Sequence, residues 1–143
     1  MKKLFFLTAI FYLVIPIFAL NNSPAEEEVI KKTVTAFMDG IDSKDVNAIQ
    51  GVITKEASFV DANNIAKLVE SYNADDLFYK LRNRKLGGWK RDYKIVNVDS
   101  ENGIAMVKVQ VDVKSLVQIY YISLVKVNND WKIVNSTTAI FKK

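Results

Sequence analysis

The sequence predicts an α+β domain, a curved antiparallel sheet wrapped around two to three N-terminal helices. Three observations predict it. Apolar residues recur at helical spacing after Ser23, Val107 to Val113 alternate with polar residues, and Ile119 to Phe141 reads as one long hairpin. Helices therefore dominate the first half and strands the second, the order of a layered α+β fold.

Residues 1–20 read as an address that precedes the domain. Met1-Lys2-Lys3 is a short positive start, Leu4 to Leu20 is nearly all apolar, and Ala19 offers a small residue before polar Asn21-Asn22. This is the order of a secretory signal peptide, cleaved after Ala19 or Leu20. The protein is expected to be exported, to periplasm or medium, and to meet a membrane only through that segment if it stays uncleaved. Residues 21–143 then form a single domain.

Within the domain, Ser23-Pro24-Ala25-Glu26 has the form of a capping box opening a first helix. Ile30, Val34, Phe37, Met38 and Ile41 give that helix one apolar face through about Asp42. A second short helix starts at Ser43 or Asp45, with Val46, Ile49 and Val52 inward. Ala57 to Asp61 reads as a first strand and Ile65 to Ser71 as a second. Asn73 caps a third helix carrying Leu77, Phe78 and Leu81 on one face, which Gly87-Gly88 ends. From Trp89 onward the chain reads as strand, with a turn over Asp99 to Gly103. In the last hairpin an Asn-rich turn separates IYYISLVKV from WKIVNSTTAIF.

Composition excludes several chemistries. The chain has no cysteine and no histidine. That rules out disulfides, thiolate chemistry, Ser-His-Asp catalysis and a typical zinc site, so no metal or cofactor is expected. Any general acid or base must be Asp, Glu, Lys or Tyr. The formal charge of +4 falls to +2 without Lys2 and Lys3, too little to argue for nucleic acid. Lys80 to Lys94 does hold seven basic residues against one acid. Its charges read as a solvated helix end and a polar strand face, and no nucleic-acid partner is expected.

The SKD helix start, the EASFVDAN strand and the ending YYISLVKVNNDWKIVN resemble the nuclear transport factor 2-like, or cystatin-like, cone. Within it the chain is most similar to the putative lumazine-binding and SnoaL-like groups. The resemblance covers the whole domain and implies a helix-covered conical pocket and dimerisation through the outer sheet face. Asn129 replaces a common turn glycine, Tyr120 a common Asp, and Ser136 a common Lys. Ketosteroid isomerase, in the same superfamily, aligns without gaps onto Ala36 to Ala62. Its proton-shuttling base falls on Asp61, and its oxyanion-donating tyrosine falls on Phe37, which has no hydroxyl.

The resemblance makes Phe37, Phe59, Phe78, Trp89, Tyr120 and Trp131 the candidate pocket residues, and Asp61 the candidate catalytic group. The residues themselves favour a plain strand-end role for Asp61, entering the turn Asp-Ala-Asn-Asn. The expected function is a non-catalytic domain that binds a small apolar or amphipathic molecule. The alternatives are a cofactor-free isomerase or cyclase using Asp61 with a tyrosine, and a protein–protein module. Both faces of the penultimate strand are largely apolar, which suggests a homodimer.

Overall fold

The computed structural model describes residues 23–143, so the expected signal segment lies outside the described residues. Helix α1 spans Pro24–Ser43. Ser23 caps it by accepting from the Glu26 amide at 3.1 Å. Ile30, Val34, Phe37, Met38 and Ile41 form its buried face, as their spacing requires. Lys44 ends it in the left-handed region, and Asp45 then caps α2 (Val46–Val52) through the Ala48 amide.

Strands β1 (Ile53–Asn63) and β2 (Leu68–Asn73) depart from the expected boundaries. The second strand starts three residues later than predicted because Asn63 builds the connecting turn. Its Oδ1 accepts from the amides of Ile65 and Ala66 at 3.1 and 3.0 Å, which places Ile65 in the turn. Helix α3 (Ala74–Arg82) opens with the capping box of Asn73 and Asp76.

Strand β3 (Asp92–Glu101) starts after Trp89, because Asp42 captures both the amide and the side chain of Arg91. Asp99 to Glu101 extend β3 rather than turning. The turn tightens to Asn102-Gly103, both at positive φ, before β4 (Ile104–Val113). A further two-residue loop leads to β5 (Leu116–Val127), and Asn128-Asn129, at φ 49° and 71°, to β6 (Asp130–Lys142).

The six strands form one curved, open sheet in the order β2-β1-β6-β5-β4-β3. Every pair is antiparallel except β1 with β6, which is parallel. The first strand can join the last this way because the intervening α3 and hairpins carry the chain round the sheet. The inner face presents Val107, Val109 and Val111 with Tyr120, Ile122, Leu124, Trp131 and Ile133, all buried against the helices. Among the described residues no helix is long and apolar enough to cross a membrane.

Candidate functional site

The inner face of the sheet and the helices enclose a small chamber. Phe37 and Ile41 of α1, Leu77 of α3 and Leu86 of the following loop form its apolar side. Phe59 and Asp61 of β1, Tyr72 of β2, Tyr120 of β5, and Ser136 and Thr138 of β6 form the rest. Register explains the gathering. Asp61 lies opposite Thr138, and Thr138 opposite Tyr120, so one row crosses three strands. Phe59 lies between Tyr72 and Ser136 in the next row. The chamber holds about 30 Å³, room for little more than a water molecule.

Three rings stack along one wall. Phe37 lies 6.0 Å from Phe59 at 9°, and Phe59 lies 5.5 Å from Tyr72 at 21°. The Tyr72 hydroxyl donates to Asp61 Oδ2 at 2.8 Å, across a partly buried contact. Burial, then the Asp61 charge, pushes the Tyr72 phenol far above its ordinary pKa, so it stays a neutral donor. On β6 the hydroxyl of Ser136 is buried with no hydrogen-bond partner.

A second polar cluster backs onto this chamber. Asp42 Oδ1 accepts from Arg91 Nε at 2.6 Å, and its Oδ2 from the Arg91 amide at 2.9 Å. Arg91 Nη1 donates to the Tyr120 hydroxyl at 2.7 Å, and that hydroxyl donates to Gln118 Oε1 at 3.1 Å. Both ions are almost wholly buried, with 5% and 7% of their side chains exposed. Burial penalises the Arg91 charge, yet Tyr120 and Asp42 more than offset it. For Tyr120 burial prevails over the nearby guanidinium, and its phenol too is raised. Arg91 Nη2 has no partner.

Of the residues singled out from sequence, the structure brings Phe37, Phe59, Asp61 and Tyr120 together at the chamber. It places three elsewhere. Phe78 lines an outer groove with Gln50, Ile53 and Thr54. Trp89 is 59% exposed on the loop before β3. Trp131 is buried near the start of α1, beside Glu26 and Val29. Phe37, where the resemblance implied an oxyanion-donating tyrosine, carries no hydroxyl.

Sequence reasoning missed Ser136 and Thr138. A register shift between Ser123 and Leu124 moves the inward parity of β6 from Trp131 and Ile133 to Ser136 and Thr138. Strict alternation from Trp131 would have pointed Ser136 outward. Arg91 was also missed, since it sits in a basic run that otherwise faces solvent. Among the described residues no group of His, Cys, Asp or Glu is arranged to hold a metal ion.

The profile of a family described as "Putative lumazine-binding" matches residues 25–138. The chain belongs to that family. Solved structures agree on the fold of this putative lumazine-binding member. A nuclear transport factor 2-like protein of unknown function from Shewanella baltica OS155 is 14% identical, with a TM-score of 0.72 over 86% of this chain and 100% of that one. Another from Silicibacter pomeroyi DSS-3 is 16% identical, with a TM-score of 0.71 over 84% and 100%. A cystatin-like fold protein from Nostoc punctiforme PCC 73102 is 9% identical, with a TM-score of 0.66 over 85% and 96%. These likenesses show the fold alone, the cone expected from the sequence. Among curated proteins, none matches the chain.

Proposed function

We propose that the protein is an exported, non-catalytic domain that takes a small apolar or amphipathic molecule into the cone. The observation that carries this reading is the lining of the chamber. An aromatic wall of Phe37, Phe59 and Tyr72 adjoins Asp61, Tyr120, Ser136 and Thr138, and the buried Ser136 hydroxyl lacks a protein partner. A hydroxyl buried without a protein partner is available to a polar group of a guest, or to water until one arrives. Ligand pockets usually hold about 300–1,000 Å³, so entry requires a wall of this chamber to move. The family description, which names lumazine binding, is compatible with a small planar guest.

Native mass spectrometry of the protein purified from its own host tests the reading, with thermal shift across a panel of small metabolites. A retained molecule, or a rise of several degrees near 100-fold excess over Kd, is expected. An empty protein that no compound stabilises would contradict it.

The contact of Asp61 with Tyr72 favours a second reading, a cofactor-free isomerase or cyclase. Against it, Tyr72 already donates to Asp61, Tyr120 donates to Gln118, and Phe37 has no hydroxyl. Both chamber tyrosines are thus engaged elsewhere, and loss of one oxyanion donor typically costs about 10²–10³ in rate. Deuterium incorporation into cyclic ketones, abolished by Asp61→Asn, would favour the enzyme.

A homodimer through the outer sheet face is part of the proposal. Ile104, Met106 and Tyr121 are exposed there, at 64%, 51% and 45%. Sedimentation at tens of micromolar should give a dimer; a monomer would remove this element.

A further inference from the structure

We propose that Tyr72 occupies a subsite of the ligand, and that the molecule taken there is a planar aromatic ring carrying an O–H or N–H donor. The inference rests on the binding reading above. Tyr72 makes two contacts that such a molecule would repeat. Its ring continues the stack begun by Phe37 and Phe59, and its hydroxyl donates to Asp61. A ring in the same place would keep the stack and give Asp61 an equivalent donor. One hydrogen bond is exchanged for another, and no charge is left unpaired.

Tyr72 is also placed to move. It sits on β2, an edge strand six residues long that pairs only with β1 and is otherwise exposed. Segments with few buried apolar contacts and exposed backbone open locally at low cost. The residue lines both the inner chamber and an outer groove of about 500 Å³, which Glu70, Tyr79, Lys80 and Lys85 also line. Swinging the ring outward joins the two spaces and gives the chamber the volume it lacks. Lys80 lies 4.1 Å from the centre of the Tyr72 ring and is held by Glu70, so a cation steadies the closed position. After opening, Lys80 stands at the mouth. The phenol stays neutral well beyond neutral pH, so it remains a hydrogen-bond donor to Asp61.

The other residues of the chamber cannot serve as the gate. Phe37 and Phe59 are 1% and 3% exposed and belong to the core, and Tyr120 is tied to Arg91. Leu86 has no polar group with which to occupy the Asp61 position.

Fluorescence titration with 2-naphthol and 2-methoxynaphthalene, on wild type and Tyr72→Phe, tests the inference. Tyr72→Phe keeps the ring and removes only the bond to Asp61, so it should fold. It should bind 2-naphthol about tenfold more tightly than wild type, because the latch to a charged acceptor is gone. It should bind 2-methoxynaphthalene at least about tenfold more weakly than 2-naphthol, since that probe has no donor. In wild type labelled with 3-fluorotyrosine, the Tyr72 resonance should shift as 2-naphthol is added. Equal affinity of the two proteins, no preference between the probes, no binding to either, or an unmoved Tyr72 resonance overturns the gate. The broader binding reading is judged separately, on a molecule retained from the host by wild type.

Discussion

Two aspartates hold tyrosine-linked networks on neighbouring sides of this cone, and they are built differently. Asp42 is almost wholly buried and meets a full counter-charge, the Arg91 guanidinium, which continues to Tyr120 and Gln118. Asp61 is half-buried and meets only a neutral phenol, supplied by an exposed edge strand. The first arrangement joins α1 to the chain entering β3 and to the middle of the sheet, and removing a member leaves a buried ion alone. The second satisfies one oxygen of a carboxylate with a group that can leave. A closed ion pair is what a fold uses to fix geometry, and an exchangeable donor is what a site uses to accept a guest.

The largest effect should come from breaking the Asp42 side. Arg91→Ala leaves the Asp42 charge buried without its partner and should cost about 3–5 kcal/mol, read from the urea midpoint. A cost below about 1 kcal/mol would show that water reaches the pair, and the contrast would fail. Gly87→Ala strikes the same loop. Gly87 has φ of 69°, and a Cβ there would lie 1.9 Å from the Ile41 carbonyl oxygen. A loss of about 2 kcal/mol or more is expected, for strain plus displacement of the loop. A neutral outcome would mean that the loop is free to shift.

On the other side, Asp61→Asn should change stability by about 1 kcal/mol or less, since the amide still accepts from Tyr72. It should lower ligand retention, because a charged acceptor favours a guest's stronger donor over the Tyr72 phenol and the amide does so much less. Equal damage to stability from Asp61→Asn and Arg91→Ala would erase the distinction between the two clusters.

Alkaline pH sharpens the comparison further. Burial and the bond to Asp39 push the Tyr93 phenol up to about 12, and Tyr72 and Tyr120 are raised as well. Below pH 10 folded and unfolded chains both hold these protons, so the contribution is fully present. Above it the unfolded chain releases them first, and stability falls as pH rises from 10 towards 12. Absorbance at 295 nm should show the ionisation of these tyrosines coinciding with unfolding. Titration near pH 10 in a folded protein would contradict their burial.

The smallest effect serves as a control. Asn129 has φ of 71° in the β5–β6 turn, far from both clusters, and Asn129→Gly should stabilise by a few tenths of a kcal/mol with ligand retention unchanged.

The legibility of the molecule follows the same division. Elements fixed by local chemistry were readable: the α1 stripe, the Asn73 cap, the alternating valines of β4 and the Asn-rich turn of the last hairpin. Asp61, Phe37, Phe59 and Tyr120 were readable as candidates because family alignment and aromatic content mark them. Tyr72 is one of six tyrosines in the sequence, and nothing local marks it, since its contact with Asp61 depends on the pairing of β2 with β1. Ser136 and Thr138 were hidden by a register shift that reverses their side. The Asp42–Arg91 pair spans 49 residues, and no periodicity links its members. Long-range register and non-local ion pairs are decided by tertiary packing, which a single sequence does not display.

The central claim is that the chamber at Asp61 holds a ligand while the cluster at Asp42 holds the fold. Native mass spectra of wild type and Asp61→Asn, purified side by side from the host, test it most directly when unfolding midpoints are measured in parallel. The account predicts an extra small-molecule mass on wild type, its loss from Asp61→Asn, and nearly equal midpoints. The same extra mass on both proteins, or none on either, would contradict it.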